Sequence, residues 1–397
     1  MPSEQASPQQ ASSDLSVIEK LKMFRGLLDP NYFKQSVRPI IFNRANGDPE
    51  RVHELVLDIL KKNNFELSLV SGLFNAPEEL RIDVYGKRLV PFGSAAGLDK
   101  TGDPLLPLSN IFGFLEPGTI CVNPREGNPR PRVVNDDSSL DLYNAQGFPG
   151  KGLDYFLNNL KDYKMRKGKV PVYVNMCGMP LSEQNAIELA MEEMRTLLKS
   201  LEPYCDGFVW NCASPNTEAL RMLRTPEISE QTSALMKELA PEKLRLVKIW
   251  PYEPEEKEAT FRFIEGFMDG GGHGVVAINT KIFPREQVPA PNWGYKSAGR
   301  SGKFLRPYRL RSVKDIRSAF PDSVIVAAGG IFDGDDAYAT FKAGANMLEG
   351  YTPYTFYGLG LLKQIENGVA QKLRSDGYKS LADLQANVRE GGARADG

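Results

Sequence analysis

Apolar residues recur at intervals of three and four in the first part of the chain, which is the spacing of amphipathic helices. This spacing predicts one helix over residues 15–28 and another over 48–62. Asp48 suits the N-cap of the second helix, and Pro49 suits its first position. The apolar face of the first helix carries Val17, Ile18, Leu21, Phe24 and Leu28. We therefore expect a small N-terminal helical extension over residues 15–75.

From about residue 80 a different pattern begins: a hairpin is predicted over 81–90, and short apolar runs then alternate with amphipathic segments such as 183–201 and 254–268. The runs predict strands over 90–95, 114–120, 170–175, 207–211, 245–249, 274–279, 324–328 and 347–350. Eight strands alternating with helices predict an α/β fold, a (β/α)8 TIM barrel over residues 76–397. A doubly wound sheet is the alternative, but it usually has fewer strands, and no G-x-G-x-x-G motif follows the first strand.

Composition narrows the function classes. The chain has 397 residues and a net charge of −1, which argues against a nucleic-acid partner. Residues 1–14 are polar and predict a disordered tail. The sequence has no run of 18 or more apolar residues, so no membrane-spanning helix is predicted. The basic, amphipathic segment 15–28 fits a membrane surface or a hydrophobic partner as well as it fits packing on the barrel.

Histidine and cysteine usage limits the possible chemistry. Four cysteines without a C-x-x-C pair suggest a reducing compartment and no disulfide framework. His53 and His273 are the two histidines, so a histidine-built metal site or a Ser-His-Asp triad is not expected. Proton transfer must therefore depend on Ser, Thr, Lys, Cys or carboxylate groups.

Polar residues and glycines follow nearly every predicted strand, at the barrel end where active sites are built. The segment 210–217 combines two amides with two hydroxyls; it has the composition of an ordinary turn, but it could also fix a flat ligand. Lys248 could balance negative charge on a reduced ring or form a Schiff base. The glycines after the last two strands could bind a phosphate, with 301–303 completing the cradle. The strand-end residues are Ala95, Ala96, Gly97, Lys100, Thr119, Asn175, Asn211, Lys248, Asn279, Thr280, Gly329, Gly330, Tyr351 and Thr352.

Several ordered motifs resemble those of the flavin-dependent dihydroorotate dehydrogenases, over roughly residues 48–384. They lie at 95–100 (AAGLDK), 125–132 (REGNPRPR), 144–148 (NAQGF), 211–217 (NCASPNT), 247–248, 279–280, 299–303 and 328–330. The resemblance implies an FMN-bound barrel that oxidises dihydroorotate to orotate in pyrimidine biosynthesis. It also implies that Ser214 removes the C5 proton while hydride leaves C6 for the flavin.

The resemblance also implies roles for individual residues. Thr217 and Phe148 would order a water that helps Ser214 release its proton. Cys212 lies two positions before the base position and is expected to pack in the core. The substrate would be held by Lys100, Asn144, Asn211, Asn216, Asn279 and Thr280. FMN would be bound by Ala95, Ala96, Gly97, Lys100, Thr119, Asn175, Asn211, Lys248, Gly302, Gly329, Gly330, Tyr351 and Thr352.

A serine base and an N-terminal helical extension resemble the class 2 enzymes, which reduce a quinone at a membrane. The resemblance implies a quinone tunnel and peripheral membrane contact in residues 15–75, on the cytoplasmic face of the inner membrane or on the mitochondrial inner membrane. Pro149 and the segment around Met179 are closer to the soluble class 1 enzymes. The alternatives are a fumarate-linked or other dihydropyrimidine flavin oxidoreductase, a Schiff-base aldolase that uses Lys248, and a non-catalytic barrel.

Overall fold

The computed structural model describes residues 15–180, 184–215 and 217–391. The tail predicted over 1–14, and Asn216, therefore lie outside the described residues. The strands are β1 (Ile82–Val84), β2 (Lys87–Leu89), β3 (Phe92–Ser94), β4 (Phe114–Leu115), β5 (Val133–Asp136), β6 (Asp141–Asn144), β7 (Tyr173–Met176), β8 (Gly207–Trp210), β9 (Leu244–Ile249), β10 (Gly274–Ala277), β11 (Lys281–Pro284), β12 (Ser297–Gly302), β13 (Val324–Ala328) and β14 (Met347–Gly350).

Helices surround these strands and also precede them. The α-helices are α1 (Val17–Leu28), α2 (Pro30–Tyr32), α3 (Arg38–Arg44), α4 (Pro49–Lys62), α5 (Asn64–Leu69), α6 (Leu105–Leu108), α7 (Gly152–Met165), α8 (Ala186–Leu201), α9 (Pro226–Leu239), α10 (Lys257–Asp269), α11 (Arg306–Ala319), α12 (Gly334–Lys342), α13 (Thr352–Tyr357), α14 (Leu361–Ser375) and α15 (Leu381–Arg389). A π-helical turn, Phe33–Val37, joins α2 to α3.

Eight parallel strands form the barrel, in the order β4-β3-β14-β13-β10-β9-β8-β7. A parallel bridge between Leu115 and Val172 joins the two ends, and the Leu115 N–H donates to Pro171 O at 3.0 Å. The predicted TIM barrel is therefore confirmed. The strand predicted over 114–120 covers only Phe114–Leu115, because Pro117 has no N–H to donate to the ladder.

The sequence patterns did not predict a second sheet of four antiparallel strands, in the order β11-β12-β6-β5. Its two hairpins come from segments far apart in the chain and join where Gly299 of β12 pairs with Asn144 of β6. A small apolar core holds it together, comprising Tyr143, Ala145, Val288, Trp293 and Ala298. This sheet carries Asn144 and Ser301 to the carboxyl end of the barrel.

The N-terminal extension contains the two predicted helices, α1 and α4, and a further helical stretch from Pro30 to Arg44. The missed stretch begins like α4: the Asp29 side chain accepts from two backbone N–H groups and Pro30 follows, as Asp48 and Pro49 do in α4. Polar contacts join the extension to the barrel, since Arg38 Nε donates to Thr355 O at 3.1 Å.

Candidate active site at the carboxyl end of the barrel

A cavity opens at the carboxyl ends of the barrel strands and is covered in part by the four-stranded sheet. It encloses about 1160 Å³, including space open to solvent, and we call it the site cavity. Most of the predicted site residues line it, namely Ala95, Ala96, Gly97, Lys100, Thr119, Asn144, Phe148, Asn211, Ser214, Lys248, Asn279, Thr280, Gly329, Gly330, Tyr351 and Thr352. The barrel topology thus brings together residues that are up to 257 positions apart, from Ala95 to Thr352.

Three predicted residues are not part of this wall in the described portion of the chain. Asn175 is fully buried behind it and hydrogen-bonds to wall residues. Gly302 is one residue beyond Ser301, which does line the cavity. Thr217 directly precedes a 3-10 helix, Glu218–Leu223, and is half-buried outside the wall. The prediction of a role for Thr217 therefore has no support from direct contact with the cavity.

A chain of side-chain hydrogen bonds runs around the barrel mouth. Thr119 Oγ1 donates to Asn175 Oδ1 at 2.7 Å, and Asn211 Nδ2 donates to Thr119 Oγ1 at 2.7 Å. Asn279 Nδ2 reaches Asn211 Oδ1 at 3.4 Å, and Asn279 Oδ1 accepts from the Thr280 N–H at 2.7 Å. Because each amide is held by its neighbours, the wall presents fixed donors and acceptors to a ligand.

Lys248 is buried in the floor of the site cavity between two carboxyl groups. Its Nζ lies 3.1 Å from Glu116 Oε1 and 2.9 Å from Glu349 Oε1. Although burial opposes its charge, the two carboxyl groups raise the pKa of Lys248. A Schiff-base lysine must be neutral to attack a carbonyl, so this arrangement disfavours the aldolase alternative.

The sequence patterns did not predict either carboxyl partner of Lys248. Glu349 lies within the apolar strand Met347–Gly350, as Lys248 lies within Leu244–Ile249. A charge inside an apolar strand requires a partner. Comparing the two strands could therefore have found Glu349. Glu116 directly follows β4 and also accepts from Asn175 Nδ2 at 2.8 Å, which connects the charged cluster to the amide chain.

Lys100 lies at a second polar corner of the wall, directly after Asp99. Asp99 Oδ1 accepts from the Thr101 and Gly102 N–H groups at 3.0 and 2.7 Å, which fixes the turn that presents Lys100. Burial raises the pKa of Asp99 to about 6. Burial lowers the pKa of Lys100 to about 8, against the attraction of Glu50.

Ser214 lies on a loop that an arginine holds from behind. Arg224 donates from Nε to Cys212 O at 2.9 Å and from a terminal nitrogen to Ser214 O at 3.1 Å. Burial raises the pKa of the neighbouring Cys212 thiol to about 12, so a thiolate base at this position is disfavoured. The loop thus places the hydroxyl of Ser214, rather than the Cys212 thiol, at the cavity wall.

The loop after β6 lines the same cavity as Ser214. Phe148 has φ +57°, a conformation that bulky residues rarely adopt and that recurs at functional sites. Gln146 and Pro149 also line the cavity, and the sequence analysis assigned neither of them to the substrate or the cofactor. Gln146 lies within the motif at 144–148 and Pro149 directly follows it, and this position in the sequence could have indicated that both line the site.

Glycines form the wall where the last two strands end. Gly329 and Gly330 have φ values of +97° and +71°, and a Cβ on Gly330 would lie 2.8 Å from the Arg306 nitrogen. Ser301 and Thr352 hydroxyls are 2.8 Å apart beside them. With no side chain in the way, backbone and hydroxyl groups are accessible to a phosphate here.

A second cavity, of about 1020 Å³, lies between the helical extension and the barrel, and we call it the extension cavity. Its wall is mainly apolar and includes Met23, Leu27, Phe33, Ile41, Val52, Val56 and Leu60. His53 also lines it, with its ring centroid 5.4 Å from that of Tyr351. Val133, Leu142, Gln146 and Tyr351 line both cavities, so the two are adjacent.

The described residues contain no helix long and apolar enough to cross a bilayer. Within the same part of the chain, no group of three or more His, Cys, Asp or Glu side chains could hold a metal ion. His273 packs at the amino end of β10, where its Nδ1 accepts from the Arg245 N–H at 3.1 Å.

Comparison with known proteins gave consistent matches. Residues 80–373 match the family model described as dihydroorotate dehydrogenase. A dihydroorotate dehydrogenase (quinone) from Mycobacteroides abscessus is 32% identical, over 84% of this chain and 94% of that protein. The protein of the same name from Rhodospirillum rubrum is 31% identical, over 85% of this chain and 90% of that protein.

Solved structures are similar in fold. DHODH from Eimeria tenella in complex with ferulenol matches with a TM-score of 0.74 at 24% identity, covering 85% of this chain and 94% of that one. The ligand-free form from the same organism matches with a TM-score of 0.73 at 25% identity, covering 85% and 98%.

Proposed function

The chain belongs to the dihydroorotate dehydrogenase family, and we propose that it oxidises dihydroorotate to orotate in pyrimidine biosynthesis, with FMN as its flavin and a quinone as the final acceptor. The observation that carries this proposal is the wall that Ser214 shares with Lys100 and a row of linked amides. A bound flavin supplies the two-electron acceptor for the oxidation. The residues of the chain bind the ring, orient it and move its proton.

The substrate is a flat ring that carries amide groups and a carboxylate, and the wall is complementary to both. Asn144, Asn211 and Asn279 offer donors and acceptors to the ring amides. Lys100 supplies a cation for the carboxylate. Asn216 is proposed as a further amide contact from the sequence resemblance alone.

Ser214 is proposed as the base that takes the ring proton. A serine needs help to act as a base, and the buried thiol of Cys212 and the distant His273 are unsuited to give it. The fixed backbone carbonyl of Ser214, held by Arg224, restricts where the hydroxyl can point. Phe148 lines the same cavity, which supports its proposed role in ordering a water beside the hydroxyl.

The residues present fit a flavin mononucleotide. The positive-φ glycines Gly329 and Gly330, with the Ser301 and Thr352 hydroxyls, suit a single phosphate group. Lys248 provides a fixed cation for the part of the flavin ring that becomes negative on reduction. Ala95, Ala96 and Gly97 present small side chains, or none, to a flat ring.

The extension cavity favours a quinone over fumarate as acceptor. A small dianion such as fumarate requires cations and hydrogen-bond donors, whereas this wall is mainly apolar and its cation, Arg38, is already paired with Asp137 at 2.7 Å. The cavity also adjoins the site cavity at Tyr351, so an apolar acceptor could approach the flavin without passing the residues proposed to bind the substrate.

Peripheral membrane contact is proposed for the same extension. Val17, Ile18 and Leu21 of α1 are exposed, as are Phe65 and Leu69 of α5. Amphipathic helices with such faces lie in the interface of a bilayer, and we propose the cytoplasmic face of the inner membrane, or the mitochondrial inner membrane. Flotation with anionic lipid vesicles should fall in Ile18→Glu/Leu21→Glu; unchanged flotation would contradict the proposal.

The test of the proposed activity is the visible spectrum of the purified protein without oxygen, before and after dihydroorotate is added. We expect a flavin spectrum that bleaches on addition and recovers when a soluble quinone follows. A flavin that stays oxidised would point to another dihydropyrimidine. Recovery with fumarate but not quinone would overturn the proposed acceptor.

A further inference from the structure

The cluster around Lys248 contains more carboxyl groups than its single cation can balance. The Lys248, Glu116 and Glu349 side chains are 6%, 2% and 0% exposed, so water does not compensate their charges. If all three were ionised, the floor of the site cavity would bury a net negative charge, which is costly in a protein interior. One of the two carboxyl groups is therefore expected to hold a proton.

Glu349 has the geometry of the group that holds it. Its Oε1 accepts from Lys248, whereas its Oε2 is buried without a hydrogen-bond partner among the described residues. Burial and repulsion from Glu116 raise the pKa of Glu349 well above its usual range, against the attraction of Lys248. Two carboxyl groups that share one site cannot both ionise easily and commonly hold one proton between them.

We propose that Glu116 and Glu349 share a single proton, so that Lys248 has one ionised counter-ion. Glu349 is then a positioning residue: through Lys248 it sets the reduction potential of the flavin. This inference rests on the proposed function, because it places a flavin above Lys248. A reduced flavin carries more negative charge than an oxidised one. The net charge of the cluster therefore determines how much more tightly the reduced form is bound.

A cycle of glutamine variants tests the shared proton. Glutamine keeps the shape of a protonated carboxyl group, so Glu116→Gln and Glu349→Gln each leave one carboxylate beside Lys248. The midpoint potential of the holoenzyme flavin, measured at about neutral pH, gives the affinity ratio of reduced to oxidised flavin. We expect each single variant to change this ratio by less than about twofold, and the double variant to raise it roughly tenfold or more, because the lysine then has no counter-ion.

Two outcomes would overturn the proposal. If each single variant raises the ratio and the double variant adds the two effects, both carboxyl groups are ionised in the wild type. If the double variant leaves the ratio unchanged, the cluster does not act on the flavin. Glu366→Gln is the matched control: Glu366 is a buried carboxyl group on α14, outside the site-cavity wall, and burial raises its pKa to about 8. Its substitution should leave the ratio unchanged.

Infrared spectroscopy provides a second measurement that does not require a flavin. The measurement is made in the Glu366→Gln background, because Glu366, with a pKa of about 8, would contribute a carbonyl band of its own at neutral pH. This protein should show the carbonyl band of one protonated carboxyl group in the cluster, and adding either Glu116→Gln or Glu349→Gln should remove it, because the remaining carboxyl group ionises. Persistence of the band in both variants would overturn the shared proton. A protein that binds no flavin would refute the proposed function instead, and the infrared result would still decide where the proton lies.

Discussion

The two cavities that meet at Tyr351 are built in opposite ways. The site cavity is walled by strand ends, and its polar side chains form one linked network from Glu349 through Lys248 and Glu116 to the amides. The extension cavity is walled mainly by helices, and two of its buried polar atoms, His53 Nε2 and Asn135 Oδ1, have no partner among the described residues. Burial lowers the pKa of His53 to about 3, so its ring adds no charge, and the charged residues of this wall, Arg38 and Glu50, are paired with Asp137 and Arg132.

The contrast separates two kinds of chemistry. Charge and proton transfer require fixed dipoles, and the barrel provides them because its strand ends are held by the sheet. An apolar acceptor requires a mainly apolar space, and helices packed by their apolar faces provide that. If the proposed function holds, changes in one wall should affect one half of the reaction and leave the other half unchanged.

The largest expected effect is in the site cavity. Ser214→Ala should slow flavin reduction by dihydroorotate about 10²–10⁴-fold, because a general base contributes that much to the rate. Stopped-flow absorbance without oxygen measures this step, and reoxidation by quinone should stay normal. Ser138→Ala, in an exposed turn, is the control. Near-normal reduction in Ser214→Ala would remove this residue from the role of base.

The second-largest effect is expected where the helical extension contacts the barrel. Arg132 contacts Glu50 of α4 at 2.8 Å and donates to Glu126 O and Asn128 O at 2.6 Å, so it connects the extension to the loop at 125–132. Arg132→Ala leaves the buried Glu50 with the more exposed Arg130, at 3.3 Å, as its counter-ion. The variant should lower the free energy of unfolding by about 2 kcal/mol in urea titrations, because hydrogen bonds to a charged group are lost.

The exposed pair between Arg88 and Glu78 provides the comparison for this prediction. Arg88→Ala should cost less than about 1 kcal/mol, because solvent screens such pairs. Equal losses in the two variants would show that burial does not strengthen the Arg132 contact.

The sequence predicted the site cavity better than the surroundings that complete it. Strand ends of a parallel barrel converge by topology, so recognising eight strands was enough to place Asn211, Lys248 and Asn279 together. The four-stranded sheet could not be found in this way. Its pairing of Asn144 with Gly299 joins segments 155 positions apart, and short antiparallel strands carry little periodicity.

Other parts were missed although a local signal existed. Asp29-Pro30 has the same capping pattern as Asp48-Pro49, but Pro39 favoured a break within the helical stretch that follows. Glu349 was treated as part of an apolar strand, whereas a charge at that position indicates a buried partner. The extension cavity itself depends on how helices dock, which local patterns do not specify.

Filling the extension cavity with a larger side chain tests its proposed role in quinone access. Val56 lines it, and Val56→Trp should fill space needed by a quinone. Quinone-dependent turnover at low quinone concentration should fall roughly tenfold, which corresponds to about 1.4 kcal/mol of lost binding. Flavin bleaching by dihydroorotate should be unchanged. Met165→Trp, at the exposed end of α7 and outside the extension, is the matched control. Loss of the bleaching step in Val56→Trp would mean that the two cavities do not act separately.

The smallest expected effect lies at Lys100, on the wall of the site cavity. Because burial lowers the pKa of Lys100 to about 8, its charge is present below that pH and is lost above it. If the charge holds the substrate carboxylate, orotate affinity should fall about tenfold per pH unit above the pKa, instead of only above the usual value near 10. Spectral titration of the bound flavin with orotate, at about pH 7 and about pH 9, measures this. Lys100→Arg keeps its charge and should flatten the profile, whereas a flat wild-type profile would exclude Lys100 as the carboxylate contact.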